Sequence, residues 1–241
     1  IYYGAEQYLH NDTNGGADPY NRPMMENWET NTSAFQIIRK LSDERAANRA
    51  LQWGGQWPLL VESDQYVYLR RFQKSRCLTM LNRGENPAQI HLENVDFPNG
   101  SFQCLLTQEI LEVKEGTLQF ELPARSARVW SFKEESRNSE SVVHVQINGA
   151  PTQPGDRLIM IGDCEELGHW DISKGYPLEC VNSNTWFAEL FFHQTESFST
   201  AYKYAVLSPN EQQGPHRELR IVRRRSIPQK SFSKWRDVWE E

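Results

Sequence analysis

Gly162-Asp163-Cys164-Glu165-Glu166-Leu167-Gly168-His169-Trp170-Asp171 is the stretch on which the reading of this chain turns. An apolar, strand-like run from Leu158 to Ile161 leads into it, and it ends by presenting Trp170 from a short polar loop flanked by Gly168 and Asp171. A tryptophan is ordinarily placed in a core, where burying so large a side chain is worth roughly 1.5 to 3 kcal/mol. Set in a loop beside a glycine, whose missing side chain leaves space over the ring, it reads instead as a flat apolar platform open to a partner. The alternative is a plug closing the end of a β-sandwich.

Working outward, Val142 to Ile147 and Arg157 to Ile161 read as a strand pair before the loop. The spacing G-x-x-x-x-L-G-x-W-D within this frame resembles the signature of the starch-binding domain, carbohydrate-binding module family 20. The resemblance implies a small antiparallel β-sandwich that holds α-1,4-glucan by stacking sugar faces on aromatic rings. By the same resemblance Trp186-Phe187 to Phe192 is the strand that follows the motif, Tyr202-Lys203-Tyr204 is the aromatic-Lys-aromatic strand, and Lys203 hydrogen-bonds a sugar hydroxyl next to Trp170.

The chain departs from the family in one place. W-E-x-G-x-N is expected after the aromatic-Lys-aromatic strand, with a second stacking tryptophan; here Glu211-Gln212-Gln213-Gly214-Pro215-His216 stands there. Gly214 keeps the frame, but Glu211 replaces the tryptophan and His216 the asparagine. Losing one platform lowers affinity by about an order of magnitude or more, if a ring contributes on the order of 1 kcal/mol beyond its area burial. Trp235 and Trp239 in the tail are candidate replacements; read as i and i+4 on a helix, they more readily dock on the sandwich. A second sugar site is implied near Thr152 and Gly155, with Tyr176 supplying the ring.

The first fifty residues read as a short β-favouring run, Ile1 to Tyr3, then a polar loop from His10 to Arg22, then a helix through about Ala47. Asn31-Thr32-Ser33 supplies N-cap candidates, and Phe35, Ile38 and Leu41 fall at helical spacing. I-Y-Y-G-x-E-Q followed by G-x-D-P-x-N-R at Gly16 to Arg22 resembles the last strand, loop and helix of the (β/α)8 barrel in family 13 glycoside hydrolases, among them α-amylases and cyclodextrin glycosyltransferases. In such barrels the loops after the strands build the active site. By resemblance, Asp18 and Arg22 hydrogen-bond glucose hydroxyls at donor subsites; alternatively they pair with each other and shape the loop. Retaining glycosidases need two carboxyl groups roughly 5 Å apart. The family's catalytic carboxylates come from earlier strands, so this stretch carries no catalytic residue and the chain alone is expected to be inactive. The start at Ile1, without methionine or a charged leader, reads as a chain entered midway.

From Leu51 to Phe132 the pattern becomes short strands: Tyr66 to Phe72, Cys77 to Leu81, Gln89 to Leu92, Ser101 to Leu106, Thr117 to Leu122 and Ala127 to Phe132. Turns at Asn82-Arg83-Gly84, Pro98-Asn99-Gly100 and Glu115-Gly116 separate some of them, and the whole reads as an antiparallel sandwich matching the small domain that follows the barrel in amylases. Trp53 and Trp57 are core, interface or a secondary sugar contact. The expected organisation is therefore mainly β: 1–50 the last β/α unit of a TIM barrel, 51–133 an all-β sandwich, 134–141 a polar linker and 142–241 the sugar-binding sandwich. So short a linker has no room for the extra β-domain usual in cyclodextrin glycosyltransferases, which points toward an α-amylase or maltooligosaccharide-forming relative.

Composition sets outer bounds. The 241 residues suffice for one large or two modest domains, and a net charge of -6 with both signs interspersed implies no general attraction to nucleic acid or anionic membrane. No apolar run approaches the length of a membrane span. The four cysteines, Cys77, Cys104, Cys164 and Cys180, form no C-x-x-C pair, which speaks against a zinc site; Cys164 and Cys180 form a bridge in an exported protein or remain thiols. The basic run Arg220, Arg223, Arg224, Arg225, Lys230, Lys234 and Arg236 is interleaved with Glu218, Asp237, Glu240 and Glu241 and reads as a charged, solvated edge strand.

Expected partners are starch, maltooligosaccharides and cyclodextrins, bound by a monomer. The family implies a secreted or periplasmic location, and calcium only in the preceding part of such an enzyme. A non-catalytic glucan-binding or scaffolding protein is the alternative function.

Overall fold

The computed structural model describes residues 3–133, 139, 141–209, 217–218 and 221–240. Its elements in chain order are helices α1 (Ser33–Ala47) and α2 (Arg49–Gln52), then strands β1 (Gly55–Val61), β2 (Gln65–Phe72), β3 (Ser75–Asn82), β4 (Ala88–Leu92), β5 (Gly100–Gln103), β6 (Ile110–Lys114), β7 (Thr117–Leu122) and β8 (Ser126–Phe132). There follow β9 (Ser141–Asn148), β10 (Arg157–Gly162), β11 (Tyr176–Asn182), β12 (Thr185–Phe192), β13 (Phe198–Leu207), β14 (Arg217–Glu218), β15 (Arg223–Ile227) and β16 (Phe232–Val238). The chain divides into two compact units. One holds Ile1–Gln52, Trp57–Arg71 and Ser75–Lys133; the other holds Trp53–Gln56, Phe72–Lys74 and Glu134–Glu241.

In the first unit, α1 begins where expected. Thr32 is its N-cap, the hydroxyl oxygen accepting from the Phe35 N–H at 3.1 Å, and Phe35, Ile38 and Leu41 form a half-buried stripe. Of the run Ile1 to Tyr3 expected as a strand, only Tyr3 is among the described residues; Ile1 and Tyr2 lie outside them. Tyr3 and Gly4 form a turn running into a single 3-10 turn at Ala5–Gln7.

The rest of the unit is two four-stranded sheets, ordered β1-β2-β3-β8 and β4-β7-β6-β5, enclosing Leu69, Leu78, Met80, Leu111, Leu118, Leu122 and Trp130. Two strands went unpredicted, β1 and β6. The expected strand over Ser101 to Leu106 ends early, at Gln103.

A polar node joins the helices to this sandwich. Asn48 Nδ2 donates to the carbonyl of Arg76 at 3.1 Å and to Ser131 Oγ at 2.8 Å, while its Oδ1 accepts from Ala50 N at 2.8 Å. Glu44 is the buried residue of α1. Burial alone would raise its carboxyl, but hydrogen bonds from Lys133, at 2.8 Å, and from Ser131 outweigh that and hold it below the usual carboxylate value.

The second unit is one large sheet ordered β14-β13-β10-β11-β12-β9-β16, with β15 also paired to β13. Its strands alternate as the sequence pattern requires: Val143, Val145 and Ile147 on β9, Leu158 and Met160 on β10, Ala188 and Leu190 on β12, and Tyr202, Tyr204 and Val206 on β13 all face one core. Most pairings are antiparallel, but β16 runs parallel to β9 from Phe232 opposite Val142 to Val238 opposite Asn148.

The helix expected to carry Trp235 and Trp239 on one face is thus a strand up to Val238. Trp235 turns inward, and Trp239 packs partly buried against the same core. Within this unit Trp53 is stacked on Phe187, with ring centroids 5.0 Å apart, so it is a packing residue.

Candidate functional site

The site is made by folding the loop between β10 and β11 back over the outer face of the sheet. Because side chains alternate along β10, Leu158 and Met160 point to the main core, while Ile159 and Ile161 point out and are covered, together with Ala205, by Ile172 of the loop. Lys203 lies opposite Ile161 in the β10–β13 ladder, so it too emerges on this outer face. Leu167 anchors the loop by dropping fully buried into the main core.

The glycines of the motif are space requirements. A Cβ on Gly162 would lie 2.5 Å from the Ala201 carbonyl oxygen, and one on Gly175 would lie 2.7 Å from the Ile161 side chain. Gly168 has φ +76, and a Cβ there would meet the backbone of Lys174 at 2.8 Å. Spacing in the motif is thus fixed by how tightly the loop lies against the sheet.

The result is an indole held in the open. Trp170 is 39% exposed, and the Lys203 ammonium stands 5.8 Å from its ring centroid, within range of a cation–π attraction. Trp170 itself has φ 68, an unusual conformation for a bulky residue. Asp171 caps the next turn: its Oδ1 accepts from Ser173 Oγ at 2.7 Å and from Ser173 N at 2.9 Å, and these bonds hold its carboxyl below the usual value. On the loop's other side Glu166 accepts from Gln194 Nε2 at 3.1 Å. The structure thus brings Trp170 and Lys203 together as the sequence implied; Glu211 and His216 lie outside the described residues.

The other implied sugar contacts are arranged differently. Tyr176 pairs with Met160, whereas Thr152 and Gly155 precede the first residue of β10. The ladder therefore separates them by on the order of 10 Å of strand. The Tyr176 hydroxyl donates to the Glu189 carbonyl at 2.7 Å. Gly155, at φ +96, belongs to a turn that Asp156 ties to Gln153 N at 2.8 Å and to Ser208 Oγ at 2.9 Å.

In the first unit Asp18 and Arg22 are exposed and bonded to each other, Arg22 Nε donating to Asp18 Oδ1 at 3.0 Å. Trp57 carries the Arg71 guanidinium 4.1 Å above its ring centroid. Among the described residues no group of three or more His, Cys, Asp or Glu is placed to hold a metal, no disulfide joins the cysteines, and no helix is long and apolar enough to cross a membrane. Burial pushes the Cys77 thiol up to about 12 and raises that of Cys164 as well.

Sequence reading missed the support behind Lys203. Its neighbours Tyr202 and Tyr204 point into the core and both donate to Asp237 Oδ2, at 2.9 and 2.7 Å. Arg225 Nη2 donates to the other oxygen at 3.0 Å, and Arg223 Nε stands 3.6 Å from it. Within the basic run Arg223 is half-buried and Arg225 reaches in from the exposed surface, both toward a buried carboxylate, while Arg224 and Arg236 are exposed. Burial raises both tyrosine hydroxyls above their ordinary pKa.

Residues 140–231 match the family described as "Starch binding domain". The chain is similar to a cyclomaltodextrin glucanotransferase from Klebsiella oxytoca, 31% identical over 197 residues, covering 79% of this chain and 30% of the relative. It is also similar to one from Bacillus sp. (strain 1-1), 30% identical over 169 residues, covering 68% of this chain and 23% of that one. Among solved structures, CldA, described as the first cyclomaltodextrin glucanotransferase with a three-domain ABC distribution, matches with a TM-score of 0.51 and 37% identity, covering 56% of this chain and 29% of that one. The chain thus spans less than a third of the length of these relatives.

Proposed function

We propose, on the premise that residues 140–231 belong to the starch-binding domain family, that this chain is the glucan-binding C-terminal portion of an amylase-family enzyme and holds α-1,4-glucan against Trp170. The observation that carries this reading is the indole held at the tip of the motif loop, 39% exposed and beside the Lys203 ammonium. The less polar C–H face of a glucose ring stacks on indole, and an ammonium at the ring's margin donates to sugar hydroxyls. A convex, exposed platform suits the curved surface of an amylose helix, and cyclodextrins present the same curvature in closed form.

The parent reaction we infer is cleavage of α-1,4-glucan through a retaining mechanism, with water or a sugar hydroxyl as acceptor. The name of the relatives speaks for transfer; the short 134–141 segment speaks for an amylase-like arrangement. Asp18 and Arg22 would then meet glucose hydroxyls as one bonded pair. From the family resemblance we infer a secreted or periplasmic location.

The test is binding of the full chain to granular starch and β-cyclodextrin, wild type beside Trp170→Ala. The expected result is binding by the wild type and its loss in the variant; equal binding by both removes Trp170 as the platform.

A further inference from the structure

We propose that His169 is a positioning residue for the Trp170 platform: its imidazole Nδ1 donates to the Asp163 carbonyl at 2.9 Å and thereby fastens the loop in the conformation that projects the indole. This rests on the reading of Trp170 given above.

The backbone explains why a fastener is needed. Gly168, His169 and Trp170 follow one another in the left-handed region, at φ 76, 50 and 68, and only the glycine adopts that region without penalty. A bulky residue stays there where its surroundings over-determine it. Two backbone bonds shape the turn itself, His169 N to the Cys164 carbonyl at 3.1 Å and Asp171 N to the Gly168 carbonyl at 2.9 Å.

The His169 side chain adds a tie from the strained pair to the sheet, because Asp163 is already anchored to β13. Asp163 N donates to the Ala201 carbonyl at 3.0 Å, and its carboxylate accepts from Ala201 N at 2.9 Å and from Thr200 Oγ1 at 2.8 Å. The carbonyl of a fixed rung therefore meets an imidazole whose own backbone adjoins the indole. A carbonyl can only accept, so in this bond it is Nδ1 that carries the proton.

The experiment is calorimetric titration of β-cyclodextrin into the full chain as wild type, His169→Ala, His169→Gln, His169→Asn and Trp170→Ala. An asparagine amide nitrogen sits near the position of Nδ1, whereas that of glutamine sits near Nε2. We expect His169→Ala and His169→Gln to bind about three- to tenfold more weakly, the scale of one net hydrogen bond, with His169→Asn within about twofold of wild type. If His169→Ala and His169→Gln bind as wild type while Trp170→Ala does not, the tie is without consequence and the proposal falls alone. If His169→Asn is as weak as His169→Ala, the donor role is wrong. If Trp170→Ala binds as wild type, the platform reading beneath the proposal is what fails.

Discussion

Trp235 lies flat against Tyr202, with ring centroids 5.1 Å apart and planes inclined by only 6°. The pair joins a residue of β16 to the strand that carries Lys203, and both rings are buried in the same core. Trp235→Ala should therefore destabilise the second unit by roughly 3 to 5 kcal/mol, the usual range for truncating a buried aromatic. Urea unfolding followed by fluorescence reads this; a loss well below 1 kcal/mol would show that β16 is dispensable to the core.

Asp237 is expected to behave as a buried charge whose loss strands its partners. Asp237→Ala leaves two tyrosine hydroxyls and the facing arginines without their acceptor and should cost roughly 3 to 5 kcal/mol. Asp237→Asn should cost less, because an amide oxygen still accepts from the tyrosines. Equal losses in the two variants would mean that the hydroxyl bonds contribute nothing.

The same cluster sets a limit in alkali. Tyr202 and Tyr204 have folded pKa values raised above the unfolded value, chiefly by burial, so their contribution to stability is fully present below about pH 10 and is lost as pH rises from there toward the folded values. Tyr202→Phe should shallow that decline in a series of thermal melts at rising pH. A parallel curve for the variant would assign the alkaline loss elsewhere.

Glu44 sets the opposite limit in the first unit. Its folded pKa is lowered, so the stability it contributes is present above the unfolded carboxylate value and disappears as pH falls through the folded one. Glu44→Gln should melt lower than wild type at neutral pH and converge with it in acid; melts that remain apart at low pH would contradict the assignment.

Gly168→Ala should cost roughly 1 to 3 kcal/mol, because the added methyl meets Lys174 backbone at 2.8 Å in a left-handed conformation. The same change should abolish starch binding by lifting Trp170 off its seat. A variant that folds less stably yet binds starch normally would separate the platform from the loop geometry.

Much of this was legible in the chain itself, and the gaps have physical reasons. The motif loop could be read because its glycines and Leu167 answer to local packing, within a few residues of Trp170. The strand β1 escaped notice because Pro58 interrupts its pattern, which is tolerated at the sheet edge where it lies. The strand β16 was mistaken for a helix because one of its inward positions holds an aspartate. The polarity of Asp237 breaks the alternation that would have betrayed a strand, and the tyrosines that justify it lie more than thirty residues away in sequence. The mutual bonding of Asp18 and Arg22 was anticipated as one of two options from their i, i+4 spacing.

The parallel ladder of β9 and β16 also decides how the second unit would bear force. Its first strand is entered at Ser141 and its last is left at Val238, at opposite ends of seven aligned residue pairs. Pulling those ends apart slides the two strands along each other and strains the rungs together, in shear, whereas an antiparallel closure would unzip them one at a time. A unit so built, pulled at Ser141 and Val238, would yield late and all at once.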